Sequence, residues 1–312
     1  MFEEKKKGKN LVMNNTIIFP NLGITLPNVP EFLTIGPISL SLYGLIIGTA
    51  MIVAFFWCYS ECKYYNVNRD HFIDLFIISI IAGILGARIY YVIFAFDYYK
   101  NDPLSIFKIW EGGLGIYGGI ILGMVAVIVC CKIFKLDFWL IADIVSLGVI
   151  LGQIAGRWGN FFNREAFGDY TNGPLAMLIP LDRVRSNDFI TDNMLANLVV
   201  QDGDVFVSVH PTYLYESLWN LCVLIFLIIF RKYKKFDGQI FLLYIGLYGL
   251  GRFFIESLRT DQLQIGSTGI AISQVVAIIM IIVSIVLNIV FIVKKKPATP
   301  RIKPEKPTTE TE

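Results

Sequence analysis

Residues 270–293 read IAISQVVAIIMIIVSIVLNIVFIV, and they decide the fold because no charged side chain interrupts them. The hydrocarbon core of a bilayer is about 30 Å thick, and a helix needs about 20 apolar residues to cross it. The few interruptions in this stretch are neutral polar residues. The stretch therefore predicts a helix that spans a membrane.

Six more apolar runs precede it, at about residues 39–58, 72–95, 115–134, 138–156, 213–230 and 239–257. Each comes close to the length that a crossing helix requires. The third and fourth runs are separated only by a short charged connection, which predicts a tight helical hairpin. Charged residues make up 17% of the chain, against about 25% in soluble domains. We therefore predict an all-α integral membrane protein with seven transmembrane helices.

Polar segments divide the chain further. Residues 1–35 carry a lysine cluster and three prolines but lack the continuous apolar core of a signal peptide, so we expect an extension rather than a cleaved leader. Residues 36–296 form the transmembrane domain, and its one long polar connection, residues 163–211, predicts a small head outside the membrane. Residues 297–312 are rich in Pro, Thr, Lys and Glu, which predicts a disordered tail.

The orientation follows from the distribution of basic residues, because cytoplasmic connections carry the excess of Lys and Arg. The poorer set of connections holds Lys100, Lys108 and Arg259. The richer set holds Lys63, Arg69, Lys132, Lys135, Arg231, Lys232, Lys234, Lys235, Lys294, Lys295 and Lys296. We expect the richer set and the C-terminus in the cytoplasm and the N-terminus outside, although the N-terminal lysine cluster opposes this orientation.

Charge and cysteine content exclude other classes of protein. The net charge of +2 is too small to indicate a nucleic-acid partner. Five cysteines lie in or beside apolar runs, and neither His71 nor His210 stands at ligand spacing from them. We therefore predict no metal site, no disulfide framework and no cofactor.

Charged residues inside apolar spans carry most of the functional signal, because a charge at mid-bilayer costs at least about 2.5–3.5 kcal/mol and needs a partner or a role. The candidates are Arg88, Asp143, Arg157, Glu216, Arg252 and Glu256. Arg252, Glu256 and Arg259 share one helix face in GRFFIESLR. This could be a stabilising ion pair near the membrane edge, but two arginines outnumber one glutamate and require another anion.

A second polar cluster ends the fourth span in GQIAGRWGNFFNREAFGD, residues 152–169. Arg157, Asn160 and Asn163 recur at intervals of three and would line one helix face, followed by Glu165 and Gly168. Such donors predict a phosphate cradle, because a guanidinium group matches phosphate through two parallel hydrogen bonds. The alternative is a polar helix end capped by asparagines.

Two further motifs are less decisive by themselves. In EGGLGIYGG, residues 111–119, the glycines suit a tight non-helical turn with Tyr117 at its tip, although an interfacial tyrosine is ordinarily a membrane-belt residue. In HPTYLYE, residues 210–216, Glu216 falls within the first turns of the fifth span. It could be the counterion of one of the arginines or a carboxylate favoured by the helix dipole.

These motifs together resemble the prolipoprotein diacylglyceryl transferase family. GPISLSLYG, GARIYYV, EGGLGIYGG, GRWGNFFNREAFG, HPTYLYE and GRFFIESLRTD follow the family's order from about residue 34 to 262. The resemblance implies seven transmembrane helices with a small extracytoplasmic head in a bacterial cell membrane. It also implies that 36–296 is a catalytic domain. Its substrates would be phosphatidylglycerol, a membrane lipid, and prolipoprotein signal peptides with a lipobox cysteine.

The implied reaction moves the diacylglyceryl group to the cysteine thiol, forms a thioether and releases glycerol phosphate. The resemblance places the family's important positions on Tyr43, Arg157, Asn160, Glu165, Gly168, Arg252, Glu256 and Arg259. Many members carry histidine where this chain has Tyr117, and tyrosine, with an ordinary pKa of about 10, is a poor base near neutrality. The identity of the base therefore stays open.

Our mechanistic hypothesis assigns the catalytic residues as Arg157, Arg252, Tyr117 and Glu165. The substrate-binding residues are Arg157, Asn160, Gly168, Tyr43, Glu256, Arg259 and Glu216. Arg157 and Arg252 would bind phosphate, while Glu165 and Glu256 would hold arginines or receive the thiol proton. An anion transporter is the main alternative, but no internal repeat supports it. A lipid phosphotransferase would need more aspartates than Asp74 and Asp143 to hold a metal.

Overall fold

The computed structural model describes residues 15–100, 102–266 and 269–302. Its α-helices within those ranges are α1 (Leu42–Tyr64), α2 (Arg69–Phe94), α3 (Phe96–Tyr99), α4 (Ile116–Ile133), α5 (Phe138–Asn163), α6 (Asp192–Ala196), α7 (Thr212–Phe230), α8 (Gln239–Glu256) and α9 (Ile272–Val293). All except the short α3 and α6 are long and apolar enough to cross a membrane. The prediction of seven membrane-spanning helices is confirmed.

The described residues also contain short β-strands that the sequence analysis did not predict. They are β1 (Ile17–Phe19), β2 (Ile24–Leu26), β3 (Phe32–Ile35), β4 (Ile38–Ser41), β5 (Met177–Pro180), β6 (Val199–Gln201) and β7 (Asp204–Val209). Five of them form an antiparallel sheet in the order β2-β1-β5-β7-β6, and β3 pairs only with β4. The seven spans are thus accompanied by β-structure.

The chain forms two compact units. The first unit comprises the described residues of 1–52, 149–227 and 242–287, and the second those of 53–148, 228–241 and 288–312. The five-stranded sheet belongs to the first unit, whereas the pairing of α2 with α4 belongs to the second.

Local sequence signals explain where several helices begin. Asn68 precedes α2, and its side-chain oxygen accepts hydrogen bonds from the backbone N–H groups of Asp70 and His71, as an N-cap residue should. Asp137 caps α5 in the same way by accepting from the N–H of Leu140 at 2.8 Å. Pro211 stands immediately before α7, where a missing N–H has no cost.

In the second unit, α2 and α4 approach each other through glycine. A Cβ atom added at Gly86 or at Gly118 would collide with the backbone of the other residue. Small residues at such a contact let two backbones pack closely, which is how helices associate where the hydrophobic effect is weak. This explains the glycine of GARIYYV, Gly86, and one glycine of EGGLGIYGG, Gly118.

In the first unit, the N-terminal segment is part of the head rather than a separate extension. Strand β1 pairs with β5 of the head at Ile18 and Leu178. The hydrophobic core beneath the sheet includes Ile17, Met177 and Val207, all nearly inaccessible to solvent. Within residues 15–35, strands β1 and β2 therefore share one sheet and one core with the head, and no structural boundary falls at residue 35. These strands are too short to bury a hydrophobic face alone. Residues 1–14 lie outside the described residues.

Arg164 ties this segment to the end of α5. Its side chain is completely buried and contacts Glu31 at 2.8 Å and the carbonyl oxygen of Val29 at 2.6 Å. Burial acts to lower the pKa of Arg164, and the charge of Glu31 opposes that shift. The arginine thus holds the N-terminal strands against the end of α5.

The first residues of the predicted disordered tail are ordered in the second unit. Thr299 donates its hydroxyl to Asp237 at 2.7 Å, and Arg301 contacts Glu61 through two nitrogens at 3.2 and 3.0 Å. The tail's composition did not predict these contacts, because the ionic partners lie far away in the sequence. Residues 303–312 lie outside the described residues.

Candidate active site

Glu216, on the first turns of α7, is the centre of a buried ionic cluster in the first unit. One carboxylate oxygen lies 2.7 Å from Nη2 of Arg157 on α5, and the other lies 2.7 Å from Nη1 of Arg252 on α8. The Glu216 side chain is only 4% exposed. A single carboxylate therefore joins two arginines from different helices.

The cluster extends along the end of α8. Arg252 also contacts Glu256 at 2.5 Å, one helical turn further on. Arg259 donates to both carboxylate oxygens of Asp261, at 2.9 and 2.7 Å, and its Nη1 lies 3.8 Å from both Glu216 and Glu256. We call the six residues the arginine cluster: Arg157, Arg252, Arg259, Glu216, Glu256 and Asp261.

The arginine cluster is formally neutral, because three guanidinium groups face three carboxylates. The two arginines of the α8 face were expected to need a further anion besides Glu256, and the structure shows two such anions. Glu216, from another helix, and Asp261, two residues beyond Arg259, supply the missing anions. Burial acts to lower the pKa of Arg259, but the hydrogen bonds and charge of Asp261 raise it above its usual range. Arg259 is therefore permanently charged.

Glu165 has a separate set of partners. Both Asn160 and Asn163 donate side-chain N–H groups to its Oε1, at 3.0 and 3.1 Å, and Arg185 of the head lies 3.0 Å from its Oε2. The predicted cradle of Arg157, Asn160 and Asn163 is therefore divided. The two asparagines contact Glu165, whereas Arg157 contacts Glu216.

Gly168 forms a backbone junction. Its N–H donates to the carbonyl oxygen of His210 at 2.9 Å, and it forms a β-bridge with Arg259. A Cβ at this position would lie 2.7 Å from the carbonyl oxygen of Leu258. The glycine thus lets the segment that follows α5 contact the segment that carries Arg259.

Tyr43 packs near the start of α1. Its ring occupies the space that a Cβ at Gly159 would need, so α1 and α5 are close at this point. The side chain is half-buried. Tyr43, Arg157, Asn160, Glu165, Gly168, Glu216, Arg252, Glu256 and Arg259 all belong to the first unit.

A family model for prolipoprotein diacylglyceryl transferase matches residues 30–290. The chain belongs to this family. Among its relatives are the phosphatidylglycerol–prolipoprotein diacylglyceryl transferases of Listeria monocytogenes, Staphylococcus haemolyticus and Staphylococcus aureus. The Listeria protein is 40% identical over 271 residues, covering 87% of this chain and 92% of the relative. The Staphylococcus proteins are each 39% identical, covering 86% of this chain and 90% and 91% of the respective relative.

In this member of the prolipoprotein diacylglyceryl transferase family, Tyr117 lies in the second unit, at the start of α4. Its side chain is 37% exposed, and its ring centroid lies 6.3 Å from that of Tyr90. Tyr117 thus belongs to the second unit, whereas Glu216 and its partners belong to the first.

Two of the six charged candidates have structural partners in the second unit. Arg88 donates to the carbonyl oxygens of Ser105, Ile106 and Gly112, each at 2.7 Å, and so fixes the segment before α4. Asp143 accepts from the N–H groups of Gly238 and Phe241, both at 2.9 Å, at the start of α8. Both contacts agree with the rule that a buried charge is paired.

Sequence reasoning did not single out Asp261 or Arg185 in this transferase family member. Asp261 follows Arg259 by two residues in LRTD, and that proximity was an available signal. Arg185 is separated from Glu165 by a loop of the head, and its side chain is 56% exposed, so no local pattern distinguishes it from other surface arginines.

Proposed function

We propose that this chain transfers the diacylglyceryl group of phosphatidylglycerol to the lipobox cysteine of prolipoprotein signal peptides. The cysteine sulfur forms a bond to the glyceryl carbon, and the bond from that carbon to the phosphate oxygen breaks. Glycerol phosphate leaves with the electron pair, and the thiol proton passes to a base. This is the first step of bacterial lipoprotein maturation, in a multi-pass membrane protein.

The observation that carries the proposal is the arginine cluster. Arg157 contacts Glu216 through one terminal nitrogen, while a guanidinium group has five N–H donors in a planar fork. Donors on Arg157 thus remain for two phosphate oxygens. Glu216 and Glu256 hold the neighbouring fork of Arg252 in place, at 2.7 and 2.5 Å.

The negative charge increases from the bound lipid to the departing product, which supports a catalytic role for the arginines rather than lipid binding alone. Phosphatidylglycerol carries one negative charge on its phosphodiester, and the departing glycerol phosphate carries a second. Stabilising charge that appears only in the transition state accelerates a reaction. Because the arginine cluster is itself neutral, the second charge requires either a reoriented guanidinium group or a proton taken up by a carboxylate nearby.

Glu165 is the carboxylate that fits the role of proton acceptor best. Its side chain is 20% exposed, compared with 4% for Glu216 and 6% for Glu256. Two neutral amides and the exposed Arg185 contact Glu165, whereas Glu216 and Glu256 are paired with half-buried arginines. Tyr117, Tyr43 and Asn160 then serve to position groups, and Gly168 serves to place Arg259.

The orientation belongs to the same proposal. With the C-terminus in the cytoplasm and the N-terminus outside, the head (residues 163–211) lies outside the membrane. A C-terminal fusion to a reporter that fluoresces only in the cytoplasm should fluoresce. A fusion to a phosphatase that folds only outside should then be inactive, and the reverse pattern would contradict the orientation.

The activity can be tested in a bacterium whose own diacylglyceryl transferase is depleted. Expression of this chain should restore growth and the lipid-modified form of a reporter lipoprotein, detected by its gel mobility. Membrane-inserted protein that restores neither would contradict the proposed function. The matched variant Arg157→Ala, present at equal abundance, should fail.

A further inference from the structure

The hairpin of β3 and β4 stands outside the five-stranded sheet of the first unit. Phe32 pairs with Ser41, Leu33 with Leu40, Thr34 with Ser39, and Ile35 with Ile38. Gly36, with φ of +59°, and Pro37 form the turn. Neither strand has another hydrogen-bonded neighbour in the part of the chain that the structure describes.

The register divides the hairpin into two unlike faces. Residues paired across an antiparallel ladder share a face, and successive residues alternate. One face therefore carries four aliphatic side chains, those of Leu33, Leu40, Ile35 and Ile38. The opposite face carries three hydroxyl groups and one aromatic ring, those of Thr34, Ser39, Ser41 and Phe32.

The aliphatic face is open, and increasingly so towards the turn. Leu33 and Leu40 are 42% and 45% exposed, while Ile35 and Ile38 reach 62% and 59%. A contiguous aliphatic patch is unfavourable in water because its apolar surface stays hydrated. A two-stranded ribbon is also only marginally stable by itself. Some apolar phase must cover this face.

The sequence continues directly from this hairpin into the membrane. Strand β4 ends at Ser41 and α1 begins at Leu42, and no charged residue occurs from Phe32 to Ser60. Only 11% of the most apolar part of α1 is buried within the protein. Most of the surface of α1 is therefore available to contact lipid. The root of the hairpin is fixed by the ion pair of Glu31 with the buried Arg164.

We propose that the β3–β4 hairpin is a membrane-interface anchor whose aliphatic face inserts into the outer part of a phospholipid bilayer. The depth is limited by the backbone. Among the described residues, neither outer edge of the ribbon has a neighbouring strand, and open strand edges are not tolerated in the hydrocarbon core. The ribbon therefore lies at headgroup level, with the four aliphatic side chains at the start of the acyl chains and the hydroxyl face towards water.

Site-specific fluorescence in liposomes tests both the face and the depth. In the full chain carrying Cys222→Ser, which removes the exposed native thiol, Ile35→Cys and Thr34→Cys would be labelled with an environment-sensitive fluorophore. These neighbours lie on opposite faces of β3. The pair Ile38→Cys and Ser39→Cys repeats the comparison on β4. Quenching would be measured with phosphatidylcholine–phosphatidylglycerol vesicles bearing a nitroxide at carbon 5 or carbon 12, and with aqueous iodide.

The labels at 35 and 38 should emit at shorter wavelength, and the carbon-5 nitroxide should quench them at least twofold more than the carbon-12 nitroxide. The labels at 34 and 39 should be quenched mainly by iodide. Equal iodide quenching on both faces would overturn the proposal. Labels at 35 and 38 that are shielded from iodide but insensitive to both nitroxides would also overturn it, because protein would then cover the face.

Discussion

At the scale of single residues, Glu216 determines the arrangement of the buried charges. Removing it would leave Arg157 and Arg252 without their shared carboxylate, and breaking a buried ion pair on one side typically costs about 3–5 kcal/mol. Its position also means that phosphate must bind to arginines that already have a counterion. The proposed site is thus preorganised rather than formed by the substrate.

Arg157→Lys keeps the charge at the end of α5 but removes the planar fork. We predict a fall in the initial rate of diacylglyceryl transfer of roughly two orders of magnitude, the usual loss when a transition-state donor is removed. Turnover of phosphatidylglycerol with a lipobox peptide would be measured. Arg183→Lys, outside the arginine cluster, is the matched control and should retain wild-type turnover. Full activity of the Arg157 variant would rule out a bidentate clamp.

Asp261→Asn should weaken the hold on Arg259, because one of two charge-assisted bonds is lost. A hydrogen bond to a charged group contributes about 1.5–3 kcal/mol, so we expect kcat/KM for phosphatidylglycerol to fall at least about tenfold. Asp261→Glu should recover part of the loss by restoring the carboxylate. If both variants lower the melting temperature but leave kcat/KM unchanged, Asp261 is only structural.

Sequence spacing could predict some of these pairs and not others. Arg252 and Glu256 are four residues apart on a helix, and the structure shows their contact. Glu216 was expected to be a counterion or a dipole partner, and the structure shows it as the counterion of two arginines. Its identity as their shared partner depends on helix packing, which residue spacing does not specify.

At the scale of elements, the helices were predictable and the sheet was not. The length and hydrophobicity of an apolar run predict a transmembrane helix, as they do for α9. Strands β1 and β5 have three and four residues, too few for an alternating pattern. They also lie far apart in the sequence, with helices α1 to α5 between them. The order of residues 15–35 therefore depends on tertiary contacts such as those of Arg164.

Arg164→Met should release the N-terminal strands while leaving the spans in place. The substitution leaves the carbonyl oxygen of Val29 without its donor, and an unsatisfied buried group costs about 1–3 kcal/mol. Amide hydrogen exchange of β1 should accelerate. Glu31→Gln should have a smaller effect, because the Glu31 side chain is 37% exposed and Arg164 keeps its bond to Val29. Equal effects of the two variants would contradict this account.

The head should lose protection in acid through Asp169. Burial acts to raise the pKa of Asp169, but hydrogen bonds from Thr191, Tyr170 and Asn193 lower it below its ordinary value. A lowered folded-state pKa stabilises the head above the unfolded value of about 3.9, and this stability is lost as pH falls through the folded value.

Amide exchange of β5 and β7, corrected for intrinsic rates, should therefore accelerate from pH 5 to pH 3 in the wild type. In Asp169→Asn, the exchange rates should depend less on pH, because an asparagine side chain is not protonated between pH 5 and pH 3. The same acid dependence in both proteins would show that Asp169 does not contribute.

At the scale of the whole molecule, the apolar surface and the buried charges serve one task. Seven apolar helices place the chain in the membrane that contains both a phospholipid and a signal peptide. In that setting, the role that we propose for the arginine cluster is to bind the phosphate through its guanidinium groups. The composition predicted the membrane class, whereas the chemistry depended on the order of motifs along the chain.

The most direct test of the central claim is the transfer reaction with purified protein in detergent. The substrates would be phosphatidylglycerol and a peptide with a lipobox cysteine, and mass spectrometry would detect the product. We predict a diacylglyceryl adduct on the peptide that is absent with Arg157→Ala and absent when the peptide cysteine is replaced by serine. A well-folded wild-type protein that gives no adduct would contradict the account.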